Sequence, residues 1–522
     1  MIIINSAAYV IPEFQSELGA IPPCMLPLGN QKLIQHQVKL LRKFENERII
    51  VTLPLSYKLT LGEKSLINEL DIDTVFIPDN FSLANALIYA INMFESYEKN
   101  IRILHGDTLI YDLPNQLDVI SVARASTDYN WETVIHDLEK SSNLVWAGFF
   151  TFSDKNILLR SLSLSNGDFI KAIHLYGEVI VTNNLESKEW YDLGHINTYF
   201  VSRSKITTQR SFNSIKIEDG ILYKSGNPSI KIIAEAHWLS DIPSRLKKYT
   251  PQIIESGRND KDTPYYAMEY LSFLPLNEIY VHGRNSIFFW SMQFDLLNNY
   301  FKDSVLNAEE LKKINIIEIE EETRRLYFDK SIKRIATYLN GIGEDFNSYG
   351  FEINEDFFLV KDIVSDCLDR TDKLPVIHSI MHGDLCFSNI LYDSRSQRIK
   401  VIDPRGINSL NEMTFYGDQK YDLAKLAHSV LGMYDFIIAG RYQIKRNNKN
   451  NEVIEFELDE RLRNIQRLFV DRVFIDHVSV REIMPLVVLL FLSMLPLHSD
   501  RADRQKAMLL NAIRIYKFYV LD

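Results

Sequence analysis

Cysteine is scarce in this chain, with Cys24, Cys367 and Cys386 the three found in 522 residues. They show neither metal-ligand spacing nor a disulfide framework, which excludes a stapled secreted scaffold and fits a reducing cytosol. Positive charge is also short. Lys and Arg number 58 against 69 Asp and Glu, a formal net charge of -11, which argues against nucleic acid or an anionic membrane surface as the main partner. A nucleotide site in such a chain needs local cations, which magnesium can provide. No apolar run is long enough to span a bilayer. The strongest, Met484 to Leu497, contains two prolines and reads as a buried core helix. The apolar opening is too short for a secretory or transit segment, so a cytoplasmic protein without membrane insertion is expected. Internal repeats and Gly/Ser- or Pro-rich linkers are absent as well. At this length two domains are still expected, since one core seldom organises so many residues.

What is present is concentrated in MHGDLCFSNILYDSRSQRIKVIDPRG, residues 381 to 406. His382, Asp384 and Asn389 form an H-x-D-x-x-x-x-N frame, and Asp403 follows the apolar run Ile399 to Ile402. A hydroxyl attacking a γ-phosphoryl group needs a carboxylate on a rigid loop to orient it and take its proton, and Asp384 fits. The triphosphate needs magnesium held by hard oxygens, which Asn389 and Asp403 can supply. Between them, Ile390 to Tyr392 and Arg398 to Ile402 read as two strands joined by a polar turn, bringing both ligands to one end of a hairpin. Arg405, two residues beyond Asp403, could meet an anionic substrate or be taken by a neighbouring carboxylate. His382 and Arg405 are the candidates for substrate contact.

Residues 203 to 522 resemble the aminoglycoside phosphotransferase and choline kinase family, on the strength of that loop and of GDQKYDLAKLAHS, which matches the family's D-L-A helix start at Asp422. The resemblance implies an α+β, protein-kinase-like fold of two lobes, about 203–272 and 273–522. It also implies ATP and magnesium, with Asp384 as base and Asn389 and Asp403 as metal ligands. Asp422 reads as a helix cap and loop anchor. The family's strand Lys and helix Glu are sought in SFNSIKIEDGILYKSG and the helix Ile230 to Leu239. Lys224 and Glu235 are the candidates there, with Lys231 as a competitor. Gly220 supplies the one glycine of a thin phosphate cover. The strand Tyr265 to Leu271 leads to the expected adenine hinge, with Glu269 and Leu271 as cofactor-binding candidates and Glu269 equally able to be structural. The polar stretch KRNNKNNEVIEFELDE reads as a flexible excursion.

The first two hundred residues have another pattern. RIIVTLPL, TVFIPDN and IRILHGDTLI read as buried strands, and SLANALIYAINMFESY as an amphipathic helix. Such alternation argues an α/β domain, Rossmann-like, with a mostly parallel sheet covered by helices. Ligands collect at the carboxyl ends of such strands, where Gly106 and Asp107 fall.

Residues 1 to 202 resemble the nucleotidyltransferases that make NDP-sugars, NDP-alditols and CDP-choline-like compounds. The matching pieces are the opening strand with Ala7 and Ala8, the P-x-x-L-P-L-G of Pro23 to Gly29, the H-G-D of His105 to Asp107, and EWYDLGHINTYFVS. The resemblance implies Ala7, Ala8 and Gly29 at the nucleotide, and Asp107 and Asp192 as magnesium ligands. The family's glycine-rich loop with its Arg is replaced by Tyr9 to Gln15, and its Lys by Pro23. Either Lys32, Arg42 or a partner chain supplies that charge, or the domain binds something else.

Together these readings give a bifunctional enzyme that phosphorylates a sugar, alditol or amino alcohol and then activates the phosphate with a second NTP, CTP among the candidates, for surface polysaccharide synthesis. The alternative is a kinase with a non-catalytic front domain. Small metabolites and nucleotides are the expected partners.

Overall fold

The computed structural model describes residues 1–522 except 46, 95–97, 126–142, 209–213, 261, 354–355 and 522. It divides into two compact units, Met1–Gln209 with His282–Arg284, and Arg210–Val281 with Asn285–Asp522. The junction expected at 202/203 falls inside the helix Ile196–Thr208, whose sequence carries neither Gly nor Pro to stop it there.

In the front unit the wholly buried strand Ile2–Asn5 pairs in parallel with Ile49–Pro54 on one side and Ile101–His105 on the other. Asp73–Ile77 extends the parallel set. Leu144–Phe152 runs antiparallel to both Ile101–His105 and Val119–Arg124, and Asn183–Glu186 then pairs in parallel with the latter. The result is a mixed, mostly parallel sheet of seven strands. The helices Leu83–Asn92, Lys155–Leu164 and Phe169–Gly177 bury Leu87, Leu162 and Tyr176 in one core with Ile3, Ile103 and Phe150 of the strands. Coverage of this kind explains why the central strands read as continuous apolar runs.

Where a glycine-rich loop would follow the first strand, Pro12–Leu18 is a helix with proline in its first turn. Phe14 and Leu18 are fully buried, and the Phe14 ring meets Tyr199 edge-on at 5.1 Å. Burial of those two side chains fixes a short segment that propensity alone leaves unmarked. The helix Leu33–Leu41 fastens the Gly106–Asp107 turn instead. Its buried Gln37 donates through Nε2 to the carbonyls of His105 at 3.1 Å, Gly106 at 3.2 Å and Thr108 at 2.8 Å.

The rear unit opens on an antiparallel sheet in the order Ser214–Glu218, Ile221–Ser225, Pro264–Glu269, Ile253–Arg258. The first two strands turn at Asp219 and Gly220, both with positive φ, as a tight two-residue hairpin requires. The helix Ser229–Asp241 packs on this sheet. The rest is mainly helical. Met484–Met494 is buried at every residue and packs against Gln419–Val430 and Ala502–Ile515. The stretch expected to be a flexible excursion is a hairpin, Gln443–Arg446 with Glu452–Glu455. Its Asn447 Oδ1 accepts from the amides of Lys449 at 3.0 Å and Asn451 at 2.9 Å, so side-chain oxygens build the turn that composition had suggested would stay open.

Candidate functional site

The strand His378–Ile380, paired with Tyr416–Asp418, delivers the chain into the loop that carries Asp384. Gly383 takes φ +79°, and a Cβ there would lie 2.7 Å from Arg405 Cβ, so conformation and space both require glycine. Asp422, 2% exposed, holds the loop from below: its Oδ2 accepts from His382 N–H at 2.7 Å and its Oδ1 from Gly383 N–H at 2.8 Å. Burial pushes the Asp422 carboxyl up to about 7 despite those two bonds. Asp418, rather than Asp422, caps the helix by accepting from Lys420 N–H at 3.1 Å.

His382 is fully buried, and burial lowers its ring to about 4, so the ring is neutral. Nε2 lies 3.0 Å from Ile402 O, and Nδ1 accepts from Asp384 N–H at 3.2 Å. The neutral tautomer with the proton on Nε2 satisfies both. His382 therefore braces the loop instead of facing substrate as the sequence suggested.

Asn389 ends the short turn Phe387–Asn389 and donates through Nδ2 to Asp384 O at 2.9 Å and Oδ2 at 3.2 Å. Among the described residues, its Oδ1 has a 3.5 Å contact with Ser388 Oγ and no shorter one. Ile402 N–H donates to Asn389 O at 3.0 Å, which brings Asp403, at φ +57°, to the same end of the hairpin. Asp384 Oδ1 meets Lys425 Nζ at 2.8 Å. Burial would raise the Asp384 carboxyl, but Lys425 overrides it and holds the group below the usual carboxylate value.

Lys224 Nζ stands 2.7 Å from Glu235 Oε2 and 2.9 Å from Asp403 Oδ1. Tyr266 OH donates to the same Glu235 oxygen at 2.9 Å. Burial opposes the Lys224 charge, yet Asp403 and Glu235 together raise its pKa above the ordinary value. Lys231 is exposed and takes no part. Side chains alternate faces along a strand, and Lys224 pairs with Tyr266 while Ile221 pairs with Glu269. Glu269 thus lies on the face opposite Lys224, exposed, where its carboxylate accepts from Gln252 N–H at 3.2 Å. This favours the structural alternative for Glu269. Leu271 follows that strand and is partly buried.

In the front unit a cavity of about 430 Å³ contains both Asp107 and Asp192, with His195, Trp146, Trp190 and Phe169 in its wall. Gly106 places Asp107: its N–H donates to Asn5 O at 2.9 Å, and a Cβ would come within 2.6 Å of Ser6. Asp192 accepts from Gly194 N–H at 3.2 Å, from Thr198 Oγ1 and from His195 Nδ1 at 2.9 Å. Burial, then the like charge of Asp192, raises Asp107 to about 6. Two hard carboxylates that repel each other suit magnesium, which commonly takes one or two protein carboxylates and completes its shell with phosphate and water. Asn389 Oδ1 and Asp403 suit it in the same way. Among the described residues, no group of three or more His, Cys, Asp or Glu is placed to hold a metal.

Among the described residues, no Lys or Arg lines that front cavity. Lys32 is buried in an ion pair with Glu63 at 3.2 Å, and Arg42 donates to the carbonyls of Leu70 at 2.6 Å and Asp71 at 2.7 Å. Neither supplies the charge expected of it. Ala7 and Ala8 follow the first strand, Ala7 partly buried and Ala8 exposed, and Gly29 takes φ +65°. The residues missed from sequence are Lys425, Tyr266 and the cavity aromatics. Lys425 was findable, since it lies three residues after Asp422 on one helix and so shares its face.

No family model matches the chain, and no curated protein matches it. Among solved structures, a nucleoside-diphosphate-sugar pyrophosphorylase from Vibrio cholerae is similar over 39% of this chain and 100% of its own, with 16% identity and a TM-score of 0.32. The inositol-1-phosphate CTP transferase from T. maritima is similar over 40% and 97%, with 14% identity and a TM-score of 0.30. A thermostable mutant of an aminoglycoside phosphotransferase is similar over 61% and 97%, with 11% identity and a TM-score of 0.35. These three structures are of two kinds, nucleotidyltransferases over about 40% of the chain and an aminoglycoside phosphotransferase over 61%.

Proposed function

We propose that the rear unit is an ATP-dependent phosphotransferase acting on a small hydroxyl metabolite, and that the front unit activates the resulting phosphate as a nucleoside-diphosphate derivative. The observation that carries the reading is Asp384, a carboxylate kept ionised by Lys425 at 2.8 Å and steadied by Asn389, on a loop pinned by Asp422. Asp384 accepts the proton of the acceptor hydroxyl as its oxygen bonds to the γ-phosphorus and the bond from that phosphorus to the β,γ-bridging oxygen breaks, leaving ADP. Lys224, oriented by Glu235, meets the nucleotide phosphates. Asn389 Oδ1 and Asp403 would hold magnesium, which neutralises charge on the phosphates. Asp403 is paired with Lys224, and breaking that pair would free Lys224 for the phosphates and Asp403 for a metal.

In the front unit the phosphate made by the kinase attacks the α-phosphorus of an NTP, CTP among the candidates, and pyrophosphate leaves. Asp107 and Asp192 would hold the metal there. Tethering the two steps raises the local concentration of the intermediate. A product of this class feeds surface polysaccharide assembly in the cytoplasm, and no described helix is long and apolar enough to cross a membrane.

One observation favours a second reading, a kinase with a silent front unit: among the described residues no Lys or Arg lines the Asp107 cavity. Mass spectrometry of the full chain with magnesium, ATP, the other NTPs and a metabolite library separates the two. A nucleotide-linked product that gives way to its simple phosphate in Asp107→Asn supports both activities. A simple phosphate alone leaves the kinase. Undiminished phosphorylation in Asp384→Asn would remove Asp384 as the base.

A further inference from the structure

The helix Gln419–Val430 buries every one of its residues except Lys425. That side chain is 12% exposed, and the Asp384 carboxylate it meets at 2.8 Å is 43% exposed, so the pair stands where the helix opens onto the site. Two neighbours on the same helix face fasten it to the loop that carries Asp384. Asp422, three residues before Lys425, accepts from the amides of His382 at 2.7 Å and Gly383 at 2.8 Å. Ser429, four residues after it, accepts through Oγ from Phe387 N–H at 3.0 Å. Helix and loop therefore run side by side, and the position of Lys425 against Asp384 is fixed from both ends.

Bracing the loop does not require this ammonium. Asp384 is already held by its own N–H, which donates to His382 Nδ1 at 3.2 Å, and by Asn389 Nδ2, which donates to its carbonyl at 2.9 Å and to Oδ2 at 3.2 Å. The two lysines of the site also differ in how they are matched. Lys224 has two carboxylates, Glu235 and Asp403. Among the described residues Lys425 pairs with Asp384 and with no other carboxylate. An ammonium carries three donors in different directions, so one carboxylate leaves it able to hold a second anion.

That second anion comes close during the reaction. A hydroxyl bonded to Asp384 has its oxygen about 2.7 Å from the carboxylate, and the phosphorus it attacks stands about 3–3.5 Å beyond. Lys425 Nζ touches the same carboxylate, so the oxygens of the transferred group arrive within the sweep of one lysine torsion. The charge balance changes at the same moment. As the hydroxyl oxygen bonds to the γ-phosphorus, its proton passes to Asp384, and the bond to the β,γ-bridging oxygen breaks with its electron pair going to ADP. Asp384 is then neutral, while Lys425 keeps its proton and its charge. The nearest remaining anion is the phosphoryl group, with charge spread over its three equatorial oxygens.

We infer that Lys425 is a catalytic residue of the kinase site, its ammonium passing from Asp384 to the transferred phosphoryl group as Asp384 takes the acceptor proton. This rests on the kinase reading and deepens it. Lys224 serves the bound nucleotide and Lys425 the group in flight, where a fixed cation acts on the transition state more than on the ground state.

The test compares the full-length wild type with Lys425→Met and Lys425→Arg. Calorimetry with magnesium-ADP, alone and with aluminium fluoride as a mimic of the planar phosphoryl group, reads binding. Transfer of the γ-phosphoryl of magnesium-ATP to water, followed across pH, reads turnover. Lys425→Met should bind magnesium-ADP within about two-fold of the wild type, lose about 10²-fold of the tightening that aluminium fluoride brings, and show a kcat about 10²-fold lower at every pH. Lys425→Arg should recover part of both losses. Lys425→Gln, which keeps a donor without the charge, gives the same comparison should the methionine variant not fold. A lysine that merely tunes the base would give another result: kcat of Lys425→Met would climb back to the wild-type plateau at alkaline pH and the mimic would bind undiminished. That result would overturn the inference and leave the kinase reading intact. Weakened magnesium-ADP binding in Lys425→Met would overturn it too, assigning the ammonium to the bound nucleotide, as would a wild type that binds magnesium-ADP and gains nothing from aluminium fluoride. Absence of magnesium-ATP binding in the wild type would remove the kinase reading, and the inference with it.

Discussion

Replacing Asp422 with alanine tests how the loop bearing Asp384 is held. The carboxylate takes the His382 amide at 2.7 Å and the Gly383 amide at 2.8 Å in a position 2% exposed, where water is a poor substitute. Stranding two buried N–H groups costs about 1–3 kcal/mol each, roughly 2–6 kcal/mol in all. At 1.36 kcal/mol per factor of ten, local opening should become about 30-fold to 10⁴-fold more frequent. Hydrogen exchange by mass spectrometry on the full chain reads this in the peptide spanning 381 to 386. Asp422→Asn keeps one acceptor oxygen and turns its NH₂ toward the second amide, so it should lose about half as much.

The pH dependence has a definite sign. The folded-state value of about 7 lies above the ordinary 3.8, so the contribution of Asp422 to stability is fully present below about 4 and is lost as pH rises through about 7. The interval sets an upper limit of about 4 kcal/mol. Loop protection, corrected for intrinsic exchange, should fall across neutrality in the wild type and stay level in Asp422→Asn. A misplacement of the base by about 1 Å would also lower kcat by about 10²-fold in Asp422→Ala. Unchanged exchange in Asp422→Ala would refute the reasoning, because it would show that other contacts hold the loop.

Three further outcomes are expected. Lys425→Met removes the main group that opposes burial at Asp384, so the acid limb of the kcat/KM profile should move to higher pH, and an unmoved limb would detach Lys425 from the base. Magnesium affinity of the front unit, read by calorimetry with Asp107→Asn as blank, should strengthen as pH rises through about 6, where Asp107 gives up its proton; a flat response would place the metal elsewhere. Gly106→Ala drives a methyl to 2.6 Å from Ser6, whose Oγ accepts from Cys24 N–H at 3.0 Å, and should cost about 2–4 kcal/mol from overpacking and the lost bond. Thermal unfolding reads that loss, and Ser6→Gly should recover most of it; additive losses in the double variant would contradict the contact.

What the sequence by itself determined is what lies close together along it. The loop of His382, Asp384 and Asn389 and the hairpin leading to Asp403 were legible because a tight turn fixes which residues meet, whatever the rest of the chain does. The parallel strands were legible because burial on both faces writes unbroken apolar runs. Other features depended on distant partners. His382 carries the same letters whether it faces substrate or Ile402 O, and only packing made it a buried brace. Strand pairing decided the face of Glu269, and the burial of Phe14 and Leu18 decided the helix that replaces the glycine-rich loop. Lys224 meets Asp403 at 2.9 Å across 179 residues of chain, and local spacing carries no record of that meeting. Coulomb forces act through space, so charges far apart in sequence acquire a common chemistry only after folding brings them within a few ångströms.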